Sequence, residues 1–127
     1  MKLIETHIEV EDVEKSLNLY KKLIPHKDIL RWADDKVAAI VLEDGSAFGI
    51  WKKGHKGIHN GLAGQKTHFA FKIEKQEYET YVNLITDCNL EPLEHNWDNG
   101  YKSVYFFDYD GHQGEFMTGN WIELNDL

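Results

Sequence analysis

At 127 residues, with 42% hydrophobic and 13% aromatic content, the chain can build one packed domain or two small halves around a shared core, and it is no disordered segment. A net charge of −8, from 22 acidic and 14 basic residues, excludes the clustered basic face that nucleic acid or an anionic membrane requires. A single cysteine, Cys88, excludes an intrachain disulfide.

No apolar run approaches the roughly 20 residues of a membrane span, and Met1–His7 reads as strand rather than as an apolar leader. The expectation is a soluble cytoplasmic protein. Residues 2–10 alternate, with Ile4, Thr6, Ile8 and Val10 on one face and Leu3, Glu5, His7 and Glu9 on the other. Asp12 can cap a helix over 12–24, where Val13, Leu17, Tyr20 and Ile24 follow the helical period, and Pro25 closes it. Three short strands follow at about 28–33, 36–43 and 46–52, separated by turns at Asp34-Asp35 and Asp44-Gly45. Four glycines in residues 53–65 mark a linker.

After the linker the pattern restarts. Lys66–Ile73 is a strand with Thr67, Phe69, Phe71 and Ile73 on one face and His68, Ala70 and Lys72 on the other. A helix at about 75–88 shows Tyr78, Tyr81, Val82 and Ile85 at helical spacing and contains Cys88, which reads as a buried, inert thiol. Strands at about 91–97, 101–108 and 113–118 complete the copy, the last two joined by an Asp110-Gly111 turn. The fold class is therefore α+β: one domain, 1–127, of two βαβββ modules (1–52 and 66–118) joined by the linker, with a tail at 119–127. The sheets are expected to form one curved mixed surface around a cavity with helices outside. Trp121 and Leu124 of the tail are expected to pack against the body or a partner subunit.

The duplication directs attention to three side chains. His7 and His68 each follow a Thr and precede an apolar residue, 61 positions apart on the polar face of the first strand of each copy. The return strand after Asp110-Gly111 carries Glu115. A strand histidine alone is more often a surface or core residue than a ligand; the matching places single these two out. Two imidazoles and a carboxylate offer a divalent ion three ligands and leave positions for substrate oxygens. That N/O set suits Mn, Fe, Zn, Co or Ni. Tyr105 and His95 are candidates for moving a proton beside the ion, and Trp51 and Trp97 for contacting substrate, with Trp32 a further wall or core residue. His55 and His59 read as linker, and His112 as a residue of the cavity rim or solvent. Sliding the copies on their Asp-Gly turns sets Gly49 opposite Glu115.

The segments T-H-I-E-V-E-D-V-E-K-S-L-N-L-Y-K-K-L, T-H-F-A-F-K-I and S-V-Y-F-F-D-Y-D-G-H-Q-G-E-F resemble the vicinal oxygen chelate superfamily (glyoxalase, bleomycin resistance protein and dioxygenase) over nearly the whole chain. Tyr109 stands where that family usually has proline. The resemblance implies a paired βαβββ fold, a cavity metal at His7, His68 and Glu115, a small-molecule substrate with adjacent oxygens, and a homodimer that often swaps modules. Gly49 lacks the fourth ligand of glyoxalase I. D-G-H-Q-G-E-F-M-T-G resembles fosfomycin thiol transferases, and Ser103 and Tyr105 match their phosphonate-side Ser and Tyr, which implies a substrate contact for Ser103; but Glu9 replaces their Thr, His95 lies near their lysine, and no arginine follows Glu115. The resemblance thus implies a metal-dependent lyase, dioxygenase or transferase. A fosfomycin-type thiol transferase and a non-catalytic drug-binding dimer of the bleomycin-resistance type are the alternatives.

Overall fold

The computed structural model describes residues 1–55 and 66–124. The chain divides into two compact units, Met1–Thr67 and His68–Leu127. Each contains a four-stranded mixed sheet with a helix packed on one side, as an α+β fold of βαβββ modules requires.

In the first unit the elements are β1 (Glu5–Val10), α1 (Val13–Leu23), β2 (Asp28–Trp32), β3 (Val37–Val41) and β4 (Ala47–Lys52). The sheet order is β1-β4-β3-β2, with β1 parallel to β4 and the other pairs antiparallel. Asp12 caps α1 through a 3.0 Å bond from the Lys15 N–H to its carboxylate, satisfying one of the helix's orphan donors. Helix α1 buries Leu17, Tyr20 and Leu23, and Ile8, Val10, Phe48 and Ile50 complete the same core. Side chains alternate across a strand, so burying Ile8 sends His7 to the opposite face. There the register aligns His7, Gly49, Ala39 and Leu30 across all four strands.

The second unit repeats the plan with β5 (His68–Lys72), α2 (Tyr78–Asp87), β6 (Leu93–Asn96), β7 (Lys102–Phe107), β8 (Gln113–Met117) and a final helix, α3 (Trp121–Leu124). The order is β5-β8-β7-β6, again with one parallel pair, β5 and β8. Its core holds Phe69, Ile85, Val104, Phe106 and Phe116. Gly114 leaves room for the Phe106 ring, whose Cζ would lie 2.2 Å from an added Cβ.

Several expectations need correction. Strand β1 starts at Glu5, and Leu3 and Ile4 before it are exposed, although the Ile4 carbonyl still accepts the Ala47 N–H of β4 at 2.9 Å. The helix expected from 75 begins as a single 3-10 turn, Lys75–Glu77, set by the reciprocal Glu74 and Glu77 capping bonds. Polar bonds from Asn99 and Tyr101 to Glu123 tie down α3 and leave Trp121 77% exposed, so of its two expected packings, on the body or on a partner subunit, the first is corrected. His112 is buried rather than at a rim or in solvent. The Asp108 carboxylate accepts the N–H groups of both Asp110 and His112 at 2.9 Å, which folds the turn inward. Cys88 is buried, as expected. Linker residues 56–65, including His59, lie outside the described residues. No described helix is long and apolar enough to cross a membrane.

Candidate metal centre

In the second unit His68 on β5 and Glu115 on β8 meet. Their strands run parallel with Ala70 opposite Glu115, so His68, Ala70 and Glu115 share a face. His68 Nε2 lies 3.2 Å from Glu115 Oε1, with the glutamate side chain 6% exposed and the histidine half-exposed. Two donors each about 2.1 Å from one ion, at an angle near 100°, would be about this far apart. The donor set, a nitrogen beside a buried carboxylate oxygen, thus fits a divalent cation.

Two hydroxyl residues of β7 share the face that carries the carboxylate, Tyr105 and Ser103. Tyr105 stands directly across from Glu115 in the β7–β8 register, near enough for the Glu115 charge to act on its phenol. The Trp97 indole N–H donates to the Ser103 hydroxyl at 2.9 Å, and Ser103 is fully buried. The indole only donates and the ionised carboxylate only accepts. Ser103 Oγ is therefore the acceptor of the Trp97 proton. Burial first, and then the Glu115 charge, push the Tyr105 phenol above its ordinary value, so it keeps its proton at neutral pH.

His95 lies on β6, opposite Ser103, on the exposed edge strand of this sheet. Its ring packs edge-on against Trp97 at 4.4 Å. Trp97 itself falls just beyond β6, and its bond to Ser103 makes it an orienting residue as much as a wall.

His7 belongs to the first unit. It is held by Trp51, whose indole Nε1–H donates to His7 Nδ1 at 2.8 Å, while His7 Nε2 faces Glu5 Oε1 at 3.5 Å. Gly49 makes this placement possible, since a Cβ there would stand 2.3 Å from His7 Nδ1. The same face carries a hollow of about 550 Å³ lined by Leu30, Trp32, Ala39, Trp51 and His55 among others. Trp32 is therefore wall rather than core, at 53% exposure. Within either unit, the described residues gather no group of three or more His, Cys, Asp or Glu side chains around one point.

Two parts of this arrangement are absent from the reading of the sequence: Trp51 as the hydrogen-bond donor to His7, and Gly49 as the space under its ring. A signal for both exists. The parallel pairing of first and last strands puts Gly49 opposite His7, and Trp51, two residues on, shares its face.

No family model matches the chain. Metallothiol transferase FosB of Staphylococcus saprophyticus is 35% identical over 115 residues, covering 87% of this chain and 72% of that protein. Among solved structures, a fosfomycin resistance protein FosX from Listeria monocytogenes, complexed with Mn(II) and dihydroxypropylphosphonic acid, superposes with a TM-score of 0.75 at 19% identity, over 99% of this chain and 95% of that one. A lactoylglutathione lyase from Agrobacterium tumefaciens superposes with a TM-score of 0.73 at 16% identity, over 91% and 92% of the two chains. The duplicated βαβββ units, the His–Glu pair on the second sheet and the identity to the staphylococcal transferase agree: the chain belongs to the vicinal oxygen chelate superfamily.

Proposed function

We propose that this chain is a divalent-metal enzyme acting on a small molecule with two adjacent oxygens, and that its reaction is thiol transfer, the activity named for the staphylococcal relative. The observation that carries the reading is the His68–Glu115 pair at 3.2 Å, with Tyr105 across from Glu115 in the β7–β8 register. In this reading His7, His68 and Glu115 hold the ion. The bound ion would supply Lewis-acid polarisation of a substrate oxygen. Tyr105 keeps its hydroxyl proton at neutral pH and faces Glu115 across the strands, so it is the nearer candidate than His95 for handing a proton to substrate. The Trp97 indole, bonded to the Ser103 hydroxyl, holds the neighbouring wall in place.

Manganese is the ion to load first, since the FosX structure names Mn(II). The phosphonate of fosfomycin is less well provided for. The single arginine, Arg31, is paired with Glu14 at 3.1 Å, and its neighbours Leu30 and Trp32 take the opposite sheet face. The test is to load purified protein with Mn(II), then incubate it with a low-molecular-mass thiol and either fosfomycin or an uncharged epoxy alcohol, whose hydroxyl stands on the carbon next to the ring. Thiol loss and adduct mass are followed. An adduct that disappears in Glu115→Gln supports the reading; a metal-loaded protein that forms no adduct with either substrate overturns thiol transfer. The second reading, an apolar-ligand binder, draws on the tryptophan-lined hollow of the first unit. Tight binding of an aromatic ligand by metal-free protein, without turnover, would favour it. A homodimer accompanies either reading.

A further inference from the structure

The Trp51 indole and a metal ion make opposing demands on His7. An indole N–H can only donate, so the 2.8 Å bond from Trp51 Nε1 uses the lone pair of His7 Nδ1 and leaves the neutral ring's one proton on Nε2. That Nε2–H faces the Glu5 carboxylate at 3.5 Å, as a donor should. In this state neither ring nitrogen has a lone pair free for an ion.

Every route to a metal-ligating His7 breaks the Trp51 bond. Ligation through Nε2 moves the ring proton to Nδ1, where it meets the indole N–H donor to donor. Ligation through Nδ1 requires the indole to leave. Turning the ring over sets a carbon against the indole. The Trp51 ring stands edge-on to His7 at 5.9 Å and 69°, and tilted against His55 at 5.8 Å, so a second aromatic neighbour remains for it when His7 is withdrawn.

We propose that Trp51 is a positioning residue that keeps His7 in its Nε2-protonated, metal-free tautomer and is displaced when an ion is loaded, so that indole and ion compete for one imidazole. The proposal rests on the reading of His7 as a ligand, and the experiment separates the two. In metal-free protein labelled with nitrogen-15, His7 is expected as the Nε2–H tautomer and the Trp51 indole proton at a hydrogen-bonded shift. Titration with diamagnetic Zn²⁺ should move that indole resonance to a free position in step with occupancy. Trp51→Phe should bind Zn²⁺ roughly fivefold more tightly, the equivalent of one ordinary hydrogen bond removed from the competition. His7→Ala is the control: zinc affinity equal to wild type would remove His7 from the ligand set and overturn both readings. If His7→Ala weakens zinc binding but the indole resonance stays put at saturation, or Trp51→Phe binds no more tightly than wild type, the competition is overturned and the ligand set stands. The wild-type titration decides the matter alone should Trp51→Phe fail to fold.

Discussion

At the candidate site, the hydrogen-bonding capacity of each atom decides more than residue type does. His7 is legible in the sequence as a polar-face strand histidine, but its ring state depends on an indole 44 residues away. Gly49, noted in the sequence only for lacking a donor, matters for what its missing side chain permits. Gly49→Ala is expected to push the imidazole off β4 and lower metal affinity on the order of tenfold, as loss of a ligand's support does, measured by equilibrium dialysis. Tyr78, Tyr81 and Tyr105 each have phenols raised above the ordinary value near 10, with burial as the first cause. Above about pH 10 the unfolded chain loses tyrosine protons that the folded chain retains, so it binds fewer protons and stability falls as pH rises. Below that pH the contribution is fully present. Urea unfolding from pH 8 to 11 should show the decline, and Tyr78→Phe should flatten it. Absorbance titration at 295 nm should find Tyr78, Tyr81 and Tyr105 ionising late.

Elements were largely readable because their signals are local. Helix α1 was marked by its cap, its period and Pro25, and it forms over Val13–Leu23 with Asp12 as cap. Asp12→Ala should therefore cost about 1 kcal/mol of unfolding free energy, and Leu17→Ala, at a fully buried position, about 2–5 kcal/mol, both measured by denaturant unfolding. The turn at Ala33–Asp35 places three consecutive residues at φ between 53° and 62°, which the two aspartates announced and Ala33 did not. Where reading failed, the deciding bonds were not periodic. Tail residue Trp121 is apolar, which suggests packing on the body or a partner subunit; ties from Asn99 and Tyr101 to Glu123 turn it away from the body. His112 sits in a turn, where exposure is the ordinary expectation, but the Asp108 carboxylate drew it in.

For the molecule as a whole, one ion per chain is expected, with His7→Ala and His68→Ala each removing it although they stand in different units. Elemental analysis of the purified variants checks this; retained stoichiometry in either would break the three-residue set. Saturating metal at about 100 times its Kd should add about 2.7 kcal/mol of stability, reversed by a chelator, as thermal unfolding can measure. The duplication, the α+β class, and the faces carrying His7, His68 and Glu115 were determined by the sequence alone, because alternation and helical period are properties of neighbouring residues. The 3.2 Å meeting of His68 with Glu115, the bond from the Trp97 indole to Ser103, and the capture of His7 by Trp51 were decided only by tertiary structure. Strand pairing brings those atoms together from distant parts of the chain, and hydrogen-bond direction is set by the partner encountered rather than by the residue that carries the atom.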